Sequence, residues 1–149
     1  AEKHGLLVDL VPGVTSAISV PALNQIPLTR RGINESFWVM TGTTKSGQLS
    51  ADIQHAAKSS ATSVILMGVK KLPEILDIYS KNGKSETPAA IIQNGSRADE
   101  KMVIGTVSNL QALTLKNNIG SPAIIVIGET VALGKEKLNS TLDKIVLSK

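Results

Sequence analysis

Residues 121–128 read SPAIIVIG, and the four consecutive β-branched residues in this stretch end at a glycine. An apolar run without polar alternation is typical of a strand that is covered on both faces of a sheet. Runs of the same kind occupy residues 62–67 and 88–93, each followed closely by a glycine. These three runs predict the buried inner strands of one sheet.

Helical patterns fill the intervals between these runs. We predict helices from Ser50 to about Lys58, from about residue 72 to Asn82, and over residues 108–117, the last capped by Ser108. Strands that alternate with helices in this way predict an α/β fold.

Two shorter strands complete the predicted sheet. One is expected over residues 36–40 and the other over 101–105, and residues 129–131 are expected to extend the strand at 122–128. The short interval between 88–93 and 101–105 is typical of a hairpin, which joins antiparallel strands. We therefore predict a mixed, mostly buried sheet with flanking helices.

The first residues look like part of another unit. Residues 7–11 predict a strand, and a Pro-Gly turn leads from it into a helix of small residues over 14–24. We expect residues 1–27 to be the remnant of an amino-terminal domain, loose or repacked against another copy, and residues 28–149 to form the α/β domain. A polar tail follows Gly134, and its apolar positions are expected to pack on the body or on a second subunit: Leu138, Leu142, Ile145 and Val146.

The composition excludes several classes of site. There is no cysteine, which rules out disulfides, thiolate nucleophiles and cysteine-based zinc sites and fits a reducing, cytoplasmic setting. The net charge is +4, but the lysines are scattered and there is only one residue each of Phe, Trp and Tyr, so the base-stacking pattern of nucleic-acid-binding proteins is absent. No apolar run is long enough to span a membrane. We expect neither nucleic acid nor a membrane as a partner.

Side chains that usually carry catalysis are few. His4 lies in the leader and His55 on the exposed face of a predicted helix, and neither has a second metal ligand at helical spacing. There is no glycine-rich phosphate loop and no nucleophile elbow. We predict no metal site, and no residue can be named as a catalytic base.

Small or flexible residues stand at four places where predicted elements begin or end: Thr15-Ser16, Met67-Gly68, Asn94-Gly95 and Ala123. In an open α/β sheet, ligands bind beyond the strand ends, and glycine there lets the backbone approach a ligand closely. The four places together predict a crevice for a molecule of about the size of adenosine.

Seven short strings follow one another along the chain: VPGVTSA (11–17), IPLTRRG (26–32), MTG (40–42), LMGV (66–69), TPAAIIQNG (87–95), GT (105–106) and SPAIIVIGE (121–129). Their order and spacing resemble the uroporphyrinogen-III C-methyltransferases of the tetrapyrrole methylase family. The resemblance covers residues 1 to about 133.

The resemblance implies an enzyme of two α/β domains, active as a homodimer, with S-adenosylmethionine bound in the cleft between the domains. It implies methylation of carbons of uroporphyrinogen III to give precorrin-2 in sirohaem and cobalamin synthesis, without a metal. The sulfonium methyl is already activated, so such an enzyme mainly aligns donor and acceptor and excludes water. This explains why no catalytic triad is needed.

The resemblance also implies site residues. Cofactor contacts are implied for Thr15, Ser16, Met67, Ala90, Gly95 and Ala123. Arg31 is implied to bind a carboxylate of the substrate. Ordinary core packing is the alternative for Met67, Ala90 and Ala123, and a solvated surface position is the alternative for Arg31.

Some features depart from the family. Arg30 and Thr43 stand where the family has histidines, so any role of those histidines is in doubt here. Two cofactor-contacting loops of the family belong to the part upstream of residue 1, so we expect this chain alone to be inactive. Two alternatives stay open: another methyltransferase of the same fold (a precorrin methylase, a diphthine synthase or an rRNA ribose methylase), and a non-catalytic ligand-binding or dimerisation module.

Overall fold

Five strands form one sheet in the computed structural model, which describes residues 2–134. β1 and β2 are parallel, whereas β5 is antiparallel to both β2 and β3, and β4 is antiparallel to β3. The predicted mixed α/β sheet is confirmed. The strands lie in the order β1-β2-β5-β3-β4 and have these bounds: β1 Phe37–Thr41, β2 Thr62–Leu66, β3 Pro88–Gln93, β4 Lys101–Thr106 and β5 Ala123–Ile127.

Helices cover both faces of this sheet. α2, α3 and α4 lie on one face, and α1 with a helical turn at 131–134 lies on the other. Successive side chains of a strand point to opposite faces, so each inner strand feeds both cores. The helices are α1 Ser16–Leu23, α2 Asp52–Lys58, α3 Leu72–Lys81 and α4 Leu110–Lys116, with short 3₁₀ turns at Glu2–His4 and Val69–Lys71.

β5 is the centre of both cores. Ile125 pairs with Ile65 of β2 on one side and with Ile91 of β3 on the other, and all three side chains are fully buried among α2, α3 and α4. Val126, the next residue, faces α1. Burying this much branched apolar surface is the main favourable contribution to folding.

The predicted strand at residues 7–11 is wrong. These residues have no regular structure, and Leu7 and Leu10 are almost fully exposed. A strand needs a neighbour for its backbone hydrogen bonds, and within residues 2–134 no strand pairs with this segment. α1 behaves differently. Ala17 and Val20 in this helix, and Ile26 just after it, are buried against the sheet.

Two further expectations are corrected. Ser108 does not cap α4; Asn109 occupies the cap position, and its Oδ1 atom accepts from the Thr106 amide at 2.9 Å. Residues 129–131 do not extend β5, because the Thr130 hydroxyl bonds to Thr62 Oγ1 at 3.0 Å while the chain enters a helical turn. The predicted packing of the tail lies outside the described residues.

The strand directions put particular chain ends together. β1, β2 and β3 run the same way, so their carboxyl ends meet at one edge of the sheet. Because β5 runs the opposite way between β2 and β3, its first residue, Ala123, lies at that same edge. Beside it lie Met67, after β2, and Asn94, after β3.

Tyr79, the one tyrosine of the chain, gives a direct test of this packing. Its ring is buried, its hydroxyl donates to Ser63 Oγ at 2.7 Å, and burial raises its pKa to about 12. A near-ultraviolet titration of tyrosinate should therefore give a midpoint near 12 for the folded protein and near about 10 in denaturant.

The stability consequence follows from the sign of this shift. Because the folded pKa is raised, the stabilisation by Tyr79 is complete below about pH 10 and falls by about 1.4 kcal/mol per pH unit as pH rises toward 12. Tyr79→Phe should remove this slope. A folded-state midpoint near that of the denatured chain would contradict the buried position.

Candidate functional site

A groove runs along the edge where the strand ends meet. We call it the strand-end groove; its volume is about 400 Å³. Its lining comes from α1, from the ends of β2 and β3 and from the start of β5: Ser16, Val20, Leu66, Met67, Ile92, Asn94, Gly95, Arg97, Pro122, Ala123 and Ile124.

β2 and β3 end at this groove in the same unusual conformation. Met67 has φ 53° and Asn94 has φ 52°, both in the left-handed region. Asparagine tolerates this region, whereas an unbranched apolar residue such as methionine adopts it at a cost, so the surrounding contacts must hold it. One such contact is visible, because the Thr43 hydroxyl donates to the Met67 carbonyl at 2.7 Å.

Glycine permits a close backbone approach beside Met67. A Cβ atom on Gly42 would lie 2.4 Å from the Gly68 Cα atom, and the Gly42 amide donates to the Leu66 carbonyl at 2.6 Å. The ends of β1 and β2 are therefore packed backbone to backbone. This contact fixes Met67 at the rim, where its side chain is 67% exposed.

Gly95 brings α1 to the groove. A Cβ atom on Gly95 would lie 2.4 and 2.5 Å from the two methyl carbons of Val20. Val20 lies one helical turn after Ser16. Its contact with Gly95 therefore places the start of α1 above the strand ends. Thr15 caps this helix, its hydroxyl oxygen accepting from the Ala17 amide at 3.3 Å.

The structure brings four of the sequence-predicted residues together. Ser16, Met67, Gly95 and Ala123 all line the strand-end groove. Thr15 is exposed beside Ser16 at the helix cap and is not part of the lining.

Ala90 lies elsewhere. It is fully buried between Ile104 of β4 and Val126 of β5, inside the core under α1. Ile92, two residues further on the same face of β3, lines the groove instead.

Arg31 lies at the opposite edge of the sheet. It follows Arg30, which forms a β-bridge with Asn34. The side-chain amide of Asn34 donates through Nδ2 to the Ser36 carbonyl and to Thr62 Oγ1, both at 2.9 Å. These two acceptors lie at the amino ends of β1 and β2. The length of β2, at about 3.3 Å per residue, separates this turn from the groove.

A second groove adjoins the first. It has a volume of about 390 Å³ and shares Met67, Pro122 and Ala123 with the strand-end groove. On its far side lie Thr43, Thr44 and Lys70, so Met67 forms a ridge between two compartments: one mostly apolar and one edged by hydroxyl groups and a lysine.

Sequence reasoning missed several lining residues, among them Leu66, Ile92, Ile124 and Arg97. For the first three a signal existed, because alternate residues of a strand that ends at a site share its face. Arg97 carried no such signal, since its position depends on how the turn between β3 and β4 folds.

Few side chains that line the strand-end groove are ionisable. Within the part of the chain that the structure describes, its lining includes no carboxylate, histidine or lysine, and Arg97 is the one charged side chain in it. Over residues 2–134 no three histidine, aspartate or glutamate side chains gather in a way that would hold a metal ion, and no helix has the length and apolarity to cross a bilayer. Such a lining suits an organic ligand held by shape and a few polar contacts.

Comparisons with known proteins bear on that ligand. Residues 1–111 match the family described as Tetrapyrrole (Corrin/Porphyrin) Methylases. An S-adenosyl-L-methionine-dependent uroporphyrinogen III methyltransferase from Methanosarcina barkeri is 40% identical over 129 residues, which cover 84% of this chain and 50% of the relative. A uroporphyrinogen-III C-methyltransferase from Methanocaldococcus jannaschii is 34% identical over 132 residues, covering 87% of this chain and 54% of the relative.

A solved structure adds the fold and a ligand. The uroporphyrin-III C-methyl transferase from Thermus thermophilus, complexed with S-adenyl homocysteine, matches with a TM-score of 0.72 and 28% identity, covering 89% of this chain and 57% of that one. The present chain thus spans about half the length of each of these three relatives.

The contact between Gly95 and Val20 predicts the outcome of a small substitution. Gly95→Ala should lower the free energy of unfolding by about 1–3 kcal/mol, because the new methyl group displaces Val20 and with it α1. Chemical denaturation measures this change. Gly120→Ala is the control, since a Cβ atom there would meet nothing within 4 Å.

A double-mutant cycle isolates the contact. In a Val20→Ala background the cost of Gly95→Ala should shrink, because the opposing methyl groups are gone. An equal cost in both backgrounds would show that α1 does not rest on Gly95.

Proposed function

This chain belongs to the tetrapyrrole (corrin/porphyrin) methylase family, and on that premise we propose that it forms one wall of the active site of an S-adenosylmethionine-dependent uroporphyrinogen-III C-methyltransferase. The observation that carries the proposal is the strand-end groove. Four segments that are distant in sequence meet there and contribute Ser16, Met67, Gly95 and Ala123.

The residues present fit such a cofactor. The groove volume of about 400 Å³ lies within the range of about 300–1,000 Å³ that is usual for small-molecule sites. Leu66, Ile92 and Ile124 give an apolar floor for a flat ring, and the Ser16 hydroxyl and the Arg97 guanidinium offer polar contacts at the rim. The relative from Thermus thermophilus, which is named with S-adenyl homocysteine, supports the same assignment.

When bound, S-adenosylmethionine supplies a methyl group that is already activated on a sulfonium sulfur. The work left to this chain is binding, orientation and exclusion of water. The apolar floor of the groove excludes water. Met67 lies between the two grooves and is held there by its contacts, so it orients the parts of the ligands that occupy them. We name no residue of this chain as the base that removes the ring proton.

The second wall of the site belongs, in this proposal, to an amino-terminal methylase domain. What supports it is the exposed apolar segment before α1, where Leu7, Leu10, Val11 and Val14 are each at least 85% exposed. Contiguous exposed apolar side chains are typical of a surface that another unit covers. The domain boundary near residue 27 stays a prediction. α1, which precedes that boundary, packs on the sheet formed by the residues after it.

The proposal extends to the rest of the assembly. We place the protein in the cytoplasm as a homodimer, and the absence of cysteine supports a reducing compartment. Thr15 and Ala90 complete the proposed cofactor surroundings, Thr15 as the cap of α1 and Ala90 through packing under the groove. Arg31 remains the proposed contact for a substrate carboxylate outside the groove.

Methylation by a completed protein tests the proposal. The amino-terminal half of the Methanosarcina barkeri relative, fused before this chain, should supply the second wall. We expect the fusion to methylate uroporphyrinogen III with S-adenosylmethionine and the chain alone to be inactive. Met67→Ala in the fusion should lower kcat/KM about tenfold or more, because a methionine side chain that the ligand and the second wall bury fully contributes about 1.5–3 kcal/mol.

Controls separate the possible outcomes. Leu115→Ala removes a side chain that is 70% exposed on α4, on the other face of the sheet, and should leave kcat/KM unchanged. A fusion that binds S-adenosylhomocysteine but does not methylate uroporphyrinogen III would indicate another methyltransferase of this fold. Full activity of the chain alone would contradict the second wall.

A further inference from the structure

We propose that the Arg97 guanidinium binds a carboxylate of the ligand that occupies the strand-end groove. The inference rests on the proposed function for the identity of that ligand: either the amino-acid end of S-adenosylmethionine or a side chain of the tetrapyrrole. Both sources present the same chemical group. The argument depends on how the turn after β3 is built, on which Arg97 atoms are engaged, and on what else lines the groove.

The turn between β3 and β4 is held in one shape by its own acidic residues. The Asp99 carboxylate accepts from Asn94 Nδ2 at 2.8 Å through one oxygen and from Arg97 Nε at 3.1 Å through the other. The Ser96 amide donates to Glu100 Oε2 at 2.7 Å. One carboxylate thus fixes both side chains that this turn contributes to the groove.

The turn is also tied to the sheet. The Asn94 amide donates to the Pro122 carbonyl at 3.1 Å, and the Arg97 amide donates to the Asn94 carbonyl at 3.0 Å. Arg97 therefore starts from a backbone anchored at the start of β5, beside Ala123. A cation on such a base needs less ordering to meet a ligand than one on a free loop.

The bonding atoms of Arg97 leave its outer edge open. Asp99 engages only Nε, and within residues 2–134 the two terminal nitrogens form no hydrogen bond or ion pair. A guanidinium presents these nitrogens as a planar fork that matches the two oxygens of a carboxylate. A ligand carboxylate can compete with Asp99 for Arg97, since the Arg97 and Asp99 side chains are 72% and 59% exposed. Ion pairs that are this exposed contribute about 0–1 kcal/mol.

The lining of the groove matters as well. Among residues 2–134, Arg97 is the one charged side chain in this lining, and the Asp99 and Glu100 carboxylates of its turn are not part of it. An ion pair next to apolar surface is stronger than one in bulk water. The other two arginines, Arg30 and Arg31, lie at the opposite edge of the sheet, and Arg30, to which no ligand is assigned, serves as an internal reference.

Nuclear magnetic resonance of the arginine side chains in this chain tests the proposal without any need for catalysis. The Nε–Hε signal of Arg97, assigned by its loss in Arg97→Lys, is followed during addition of S-adenosylhomocysteine or of uroporphyrin III. We expect a saturable shift of this signal, larger than any shift of Arg30, with at least one of the two. 5′-Methylthioadenosine and a porphyrin with cationic substituents lack the carboxylate and should not shift it.

The two ligands distinguish the two sources. Arg97→Gln should weaken binding of S-adenosylhomocysteine about tenfold or more if the cofactor carboxylate is bound, and that of uroporphyrin III if the substrate carboxylate is bound. Arg30→Gln is the matched control for charge and should not reproduce the loss of binding of either ligand. Arg97→Lys should restore only part of the affinity, because lysine lacks the planar fork.

Several results would overturn the proposal. They are the absence of a shift at Arg97 with both ligands, a shift at Arg97 no larger than that of Arg30, and unchanged affinities in Arg97→Gln. The proposed function fails separately: a fusion with no methyltransferase activity but a saturable, carboxylate-dependent shift at Arg97 would contradict the reaction and leave the anion site standing.

Discussion

β5 runs antiparallel between two strands that share the opposite direction, and the rest of the molecule depends on that pairing. Ile125 is paired with Ile65 on one side and Ile91 on the other, so the strand is bonded along both edges and buried on both faces. Its reversed direction sets Ala123 between the carboxyl ends of β2 and β3. Two strands that flank a third lie about 10 Å apart, and the start of β5 occupies that interval between the ends of β2 and β3.

Several residues at that same edge deviate from ordinary backbone or packing preferences. Met67 and Asn94 adopt left-handed conformations, and Gly42 and Gly95 permit approaches that a methyl group would prevent. Such deviations cost free energy and persist where the surrounding structure holds them. Of the five non-glycine residues with positive φ in residues 2–134, Met67 and Asn94 line the groove.

Local pattern predicted most of the elements, because long apolar runs and helix-period stripes are signals that a few neighbouring residues carry. It failed where the outcome depends on distant partners. Residues 7–11 have the composition of a strand but no neighbour to pair with, and residues 129–131 turn away because Thr130 bonds to Thr62. For the groove, family resemblance predicted Ser16, Met67, Gly95 and Ala123, while Arg97 emerged only from the fold of its turn.

Methyl-group nuclear magnetic resonance of this chain during titration with S-adenosylhomocysteine tests the central claim most directly. The account predicts that the methyl signals of Met67 and Ala123 shift together and saturate at the same ligand concentration. The methyl signals of Ala56 and Ala57, which belong to α2 and are buried on the other face of the sheet, should stay unchanged. Shifts centred on α2, or shifts of Met67 and Ala123 with different saturation points, would contradict a single binding surface at the strand ends.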